Sequence, residues 1–187
     1  MGLYCFLAVE LKLLLFFLTN SCFGCLPSCQ VLNTLGTDGL GITKSVLYKL
    51  SLSHFREPMR DSFHEITCVL RVSIFPLMAR FDPQVHDYLI EANMEPFFAL
   101  SWVLTWFSHD IKDVRVAARL FDAFIVSHPL LPIYVTVAMV LHPVNRRIIL
   151  KTECDFAEIH SALCSLPKNT CKCKMKLIVC CLFVFLF

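Results

Sequence analysis

Between Pro96 and Leu141 the chain runs through three largely apolar stretches, each bounded by residues that start or stop helices. Pro96 suits the first turn of a helix, where its missing N–H would have had no intrahelical partner. From Phe97 to Phe107 the polar exceptions are Ser101 and Thr105, and Ser108 follows. They are spaced four and three apart, as one narrow stripe. Apolarity on nearly all sides places such a helix in a core or a membrane, and the run is shorter than the ~20 residues a bilayer needs. The spacing therefore predicts a buried core helix from Pro96 to Phe107. A second helix is predicted after Asp113, a favoured N-cap residue. Val114, Ala117, Leu120, Phe121, Phe124 and Ile125 fall on its apolar face, and Arg115, Arg119 and Asp122 on the other. It should end at His128, because the residue before Pro129 is displaced from the helical region. A third helix is predicted from near Pro132 through Ile133 to Leu141, with Pro143 as its stop.

The 187 residues are enough for one domain with a substantial core. Hydrophobic residues make up 57%, 17 of them Phe, and charged residues only 17%, so the chain is apolar for its size. A net charge of +2, with no basic patch interleaved with aromatics, argues against nucleic-acid binding. The 11 cysteines cluster at the two ends, and only Cys68, Cys154 and Cys164 fall within the domain-like region. A disulfide framework would tie the core together, so the distribution points to a reducing compartment. Cys22, Cys25 and Cys29 lack the further ligands that a closed tetrahedral zinc set requires. They read as incidental thiols. Gly36, Gly39 and Gly41 are turn punctuation and do not end in the Gly-Lys-Ser/Thr of a phosphate loop.

Taken in order, residues 1–41 form an apolar, cysteine-rich segment followed by a loop. They admit two readings: a signal peptide cleaved near Ser21 to Gly24, or a start unrelated to the domain that follows. Met1 to Glu10 contains no Lys or Arg, which disfavours the first. Helices are expected over Ile42–Leu52 and Arg60–Ala79, the latter with Phe63, Ile66 and Leu70 on one face and Pro76 kinking or ending it. Asp82-Pro83 supplies a cap and first-turn proline for a helix bearing Val85, Tyr88, Leu89 and Ala92. Asp155 opens a last helix whose apolar face is Phe156, Ile159 and Leu163, closed by Pro167. No alternating strand pattern occurs, so the class is all-α. The domain is expected over 42–168 and a Lys/Cys-rich apolar tail over 169–187. The final eleven apolar residues, from Leu177, cover roughly 16 Å as a helix, about half a ~30 Å hydrocarbon core. They could embed at an interface or follow the domain without a role.

Several of these residues resemble a known family. Phe98-Ala99-Leu100-Ser101-Trp102, Thr105-Trp106-Phe107 and Arg119-Leu120-Phe121-Asp122-Ala123-Phe124 are similar to the paired helices of the C-terminal half of a TBC domain, the Rab GTPase-activating fold. Flanking runs agree: Leu52 to Met59, Asp82 to Asp87, and Cys154-Asp155. The resemblance covers Ser45 to Asn169. It implies a helical array and a GTP-bound Rab-family GTPase as partner. It further implies a role in traffic between endoplasmic reticulum and Golgi, on the cytosolic face of those membranes. The two apolar ends, and not the resemblance, suggest membrane contact through the termini. Such proteins supply an arginine from an Ile-x-x-Asp-x-x-Arg motif and a glutamine from Tyr-x-Gln-Gly. Neither motif occurs here, and the two glutamines are Gln30 and Gln84. No catalytic, cofactor-binding or metal residue is therefore assigned, and no cofactor is expected. Arg115 and Arg119 read as a solvated or ion-paired helix face, with Arg119 and Asp122 three apart, Trp102 and Trp106 as core, and His109, His128 and His142 as helix-end residues. The alternative to an activator is a non-catalytic, membrane-associated or Rab-binding protein.

Overall fold

The computed structural model describes residues 45, 48–50, 52–53 and 64–169. The expectations for residues 1–41, for Ile42, Val46, Leu47 and Phe63, and for the tail from 170 onward lie outside the described residues. Ser45, Tyr48 to Leu50 and Leu52 are helical, and Leu50 joins the core. Seven helices follow: α1 His64–Phe81, α2 Pro83–Glu91, α3 Leu100–Leu104, α4 Val114–Val126, α5 Leu131–Leu141, α6 Pro143–Lys151 and α7 Phe156–Ser165. Short 3-10 turns occupy Pro96–Ala99 and Pro167–Asn169. Among the described residues there is no strand.

Helix α1 buries Ile66, Leu70, Ile74 and Met78, one residue every turn. That four-residue period turns one row of side chains inward. Pro76 stays inside the helix and does not end it. The carbonyl it cannot serve belongs to Val72, which is 70% exposed, so that part of the helix faces water. Asp82 caps α2 as its sequence predicts, accepting from the Val85 amide, with Pro83 in the first turn.

Helix α5 is the hub. It is almost wholly buried and packs against α1, α3 and α6. It ends at Leu141, as the proline at 143 predicts, and the first departure from expectation is that Pro143 also opens a further helix, α6. The two axes differ by 62°. His142 makes the corner, its Nδ1 accepting from the Val144 amide at 3.3 Å. The buried Asn145 amide reaches back to the Met139 carbonyl at 2.7 Å. A proline at N1 loses no intrahelical bond, so the same residue that stops one helix starts the next. Helix α6 packs on α2, α5 and α7. In α7, Ile159 and Leu163 are buried, but Phe156, expected on the apolar face, is 52% exposed and stacks with His160.

The second departure lies between α3 and α4. The expected helix from Pro96 to Phe107 is a 3-10 turn followed by five α-helical residues, ending at Leu104. Trp106 and Phe107 then take positive φ, 50° and 64°. The Phe107 amide donates to the Trp102 carbonyl at 2.8 Å and the Trp106 amide to the Val103 carbonyl at 3.5 Å. This pairing closes a helix C-terminus when the residue after the cap is left-handed, a place that glycine ordinarily fills. Helix α2 ends in the same way, with Asn93 (φ 53°) in the left-handed position and the Met94 amide on the Leu89 carbonyl.

Candidate functional site

A tryptophan in a glycine position needs a compensating gain, and the aromatic cluster supplies it. The left-handed conformation costs a residue with a Cβ roughly 1–2 kcal/mol. The Trp106 ring lies 5.1 Å from Phe121 and 5.4 Å from Phe124, while Phe107 lies 5.8 Å from Trp102 and 6.3 Å from Phe124. Burying ~200 Å² of indole at ~25 cal/mol per Å² is worth about 5 kcal/mol, an upper figure because unfolded chains also bury surface. Burial therefore outweighs the backbone strain. Trp102 and Trp106 are core residues, but Trp106 reaches the core from the loop and not from the helix.

The polar stripe expected along one helix closes that loop instead. Ser101 Oγ donates to Asp110 Oδ2 at 2.9 Å, Thr105 Oγ1 to the Ser101 carbonyl at 2.8 Å, and Ser108 Oγ to the Thr105 carbonyl at 2.7 Å. The loop delivers the chain to Asp113, which caps α4 by accepting from the Arg115 amide at 3.0 Å. The fold thereby presents the outward face of α4, carrying Arg115, Arg119 and Asp122.

Both arginines of that face are engaged by carboxylates. Arg115 Nε and Nη2 donate to the two oxygens of Asp113 at 3.1 and 3.2 Å, and these bonds raise the guanidinium pKa further. Arg119 and Asp122 pair at 3.7 Å with both side chains largely in water. Arg71 pairs with Glu95 at 3.2 Å and lies 5.6 Å over the Phe97 ring.

The structure also joins residues that no local pattern connects. Arg146 on α6 donates through Nε to Asp82 Oδ2 and through Nη2 to Gln84 Oε1 at 2.6 Å. Burial pushes the Asp82 carboxyl up, but hydrogen bonds from Arg146 and the Val85 amide, with the guanidinium charge, hold it below 3.8. Gln84 thus sits beside an arginine, but one whose charge Asp82 already neutralises. The arrangement is a clasp between α2 and α6. A separation of more than sixty residues leaves no sequence signal for it. Tyr88, whose hydroxyl donates to the Thr152 carbonyl, ties α2 to the end of α6 in the same way.

His128 Nδ1 accepts from the Leu130 amide at 3.2 Å, a local capping role like that of His142. His109 is exposed. Cys68, Cys154 and Cys164 are free thiols. Among the described residues, no group of three or more His, Cys, Asp or Glu is placed to hold a metal ion. No helix among them is long and apolar enough to cross a membrane alone.

Comparison with known proteins gives this geometry a lineage. Residues 43–149 match the model of the Rab-GTPase-TBC domain. The chain is 34% identical over 131 residues to TBC1 domain family member 20 of Homo sapiens and of Bos taurus, covering 70% of this chain and 32% of each relative. It is 44% identical over 102 residues to the GTPase-activating protein gyp10 of Schizosaccharomyces pombe, covering 48% of this chain and 27% of that protein. The chain spans about a third of the length of the curated relatives it matches. With the family model covering more than half of its residues and the described residues all helical or loop, this chain belongs to the Rab-GTPase-TBC domain family.

Proposed function

We propose that this chain serves GTPase activation on a Rab-family GTPase. Its partner is the GTP-bound Rab, and its place is the cytosolic face of endoplasmic reticulum and Golgi membranes, in vesicle traffic between them. The observation that carries this reading is the family match over residues 43–149, laid on a rigid helical core. The two similar proteins support it by their names, one a TBC1 domain member and one a GTPase-activating protein.

Activation of GTPases by a partner rests on an arginine that neutralises transition-state charge, worth about 10³–10⁵ in rate. Such an arginine must be able to leave its resting contacts for the phosphates. Arg71, Arg115, Arg119 and Arg146 all rest on carboxylates, and Gln84 is bound to Arg146. In our reading these 187 residues contribute partner binding and domain rigidity. The charge-stabilising arginine and the water-orienting glutamine come from outside them. A chain that binds Rab without accelerating hydrolysis is the second reading, favoured by the absence from its sequence of the Ile-x-x-Asp-x-x-Arg and Tyr-x-Gln-Gly motifs.

Single-turnover GTP hydrolysis by a panel of endoplasmic-reticulum and Golgi Rabs, with this chain in excess and Rab retention measured alongside, separates partner binding from rate acceleration by these residues. The expected result is retention of a GTP-loaded Rab and hydrolysis at the intrinsic rate. Acceleration abolished by Arg115→Ala or Arg119→Ala would place the finger on α4 and refute the division proposed. Failure to retain any Rab, by a chain with a cooperative unfolding transition, would refute the partner.

A further inference from the structure

The corner between α4 and α5 is an exposed aliphatic tip joining the amphipathic α4 to the almost wholly buried α5. Val126 is 84% exposed, Ile125 43% and Leu130 40%, and Pro129 is exposed between them. From Ala123 to Asn145 the sequence contains no Asp, Glu, Lys or Arg. The tip is firmly mounted, because Phe124 just before it and Pro132 and Ile133 just after it are in the core.

Part of its backbone is already hydrogen-bonded within the corner. The Ser127 amide donates to the Phe124 carbonyl, the Leu130 amide to His128 Nδ1, and the Leu131 amide to the His128 carbonyl. Pro129 has no amide to satisfy. Irregular backbone is costly in lipid because its polar groups lack partners; the donors at 127, 130 and 131 already have them, and a shallow seat leaves the other amide and carbonyl groups in the hydrated headgroup layer. With Nδ1 accepting, the neutral His128 ring carries its proton on Nε2 and can donate toward an ester or phosphate oxygen.

The next charges back along α4 lie at a telling depth. Asp122 and Arg119 stand four and seven residues before Val126 on the same outward stripe, roughly 6 and 10 Å along the helix. Apolar faces of interfacial elements enter a bilayer by about 5–10 Å, so with α4 end-on this ion pair reaches the headgroups as the aliphatic side chains reach the acyl boundary. The pair is exposed, 3.7 Å apart and net neutral. It complements a headgroup that carries both signs and does not select a purely anionic one. From this geometry we infer that the Ile125–Leu130 corner inserts shallowly into the interface of a zwitterionic bilayer, orienting the helical core against the membrane independently of either chain terminus.

The test reads depth at the corner itself, so anchoring by another part of the chain does not confuse it. Val126→Trp and, separately, Leu130→Trp are made in the full chain; both positions are exposed, and Trp102 and Trp106 are buried and supply a subtractable background. Each variant is added to phosphatidylcholine vesicles with plain or brominated acyl chains. The expected result is a blue shift of the added emission and its loss in brominated vesicles, unchanged by salt or by anionic lipid. Vesicle-bound protein whose added tryptophan is not quenched would overturn the inference, as would protein that does not bind the vesicles. A blue shift without lipid would show that another protein surface, such as a second copy, covers the corner, and would overturn it equally.

Discussion

Trp106 offers a direct test of how burial and backbone strain are balanced at the reversal between α3 and α4. Removing the indole should cost about 3–5 kcal/mol, as for other buried tryptophans. The choice of replacement then carries the information. In an ordinary helical position glycine is worse than alanine by about 1 kcal/mol. At φ 50° the order should invert, because alanine retains the Cβ penalty of roughly 1–2 kcal/mol that glycine escapes. Glycine's greater freedom in the unfolded chain returns about 0.4–1 kcal/mol of that, leaving Trp106→Gly more stable than Trp106→Ala by about 1 kcal/mol. With a urea m-value of about 1–3 kcal/mol per M, the unfolding midpoints should differ by about 0.3–1 M, read by far-UV circular dichroism. Ala118→Gly within α4 serves as the control and should show the usual loss. If Trp106→Ala proves equal to or more stable than Trp106→Gly, the left-handed assignment and the reasoning built on it fail.

Three further outcomes follow from the same structure. Asn93 occupies the corresponding left-handed place after α2, so Asn93→Ala should lower stability by about 1 kcal/mol while Asn93→Gly is neutral or better, measured by urea unfolding. The Asp82 carboxyl is held below 3.8 in the fold, so its clasp with Arg146 contributes stability above that pH. The contribution is lost as pH falls from about 3.8 through the lowered value. Asp82→Asn should therefore flatten the acid limb of the unfolding midpoint against pH, and a wild-type-like limb would exclude the clasp as its source. The Cys154 and Cys164 thiols are pushed up from 9.0, first by burial and then by neighbouring carboxylates (Glu91 and Asp155 for the former, Asp110 for the latter). Their alkylation, followed by peptide mass spectrometry, should accelerate only above that pH; rapid labelling near neutrality would contradict it.

Where a helix begins was largely legible in the residues themselves. Asp82, Asp113 and Asp155 each cap the helix that follows, because a carboxylate one position before a helix meets amides of its own first turn. The solvated Arg119–Asp122 pair and the buried stripes of α1 and α4 likewise follow from helical spacing, a local property. The all-helical class and the family resemblance rest on such local and ordered patterns. Where a helix ends was less legible. Pro143 reads as a stop, and α5 does end before it, but the same proline is a good first residue, and the packing of α6 on α2, α5 and α7 decided for a new helix. The run from Pro96 to Phe107 has the apolarity of one core helix. It reverses after Leu104 because Trp106 and Phe107 gain more by meeting Phe121 and Phe124 than the left-handed backbone costs, and those partners lie on a different helix. The Arg146–Asp82–Gln84 clasp depends in the same way on distant segments being brought together. Sequence alone determined what its own neighbours along the chain can satisfy: caps, faces and class. Tertiary structure decided what depends on surfaces brought together from afar, because burial against a distant helix can exceed any local preference for how the backbone continues.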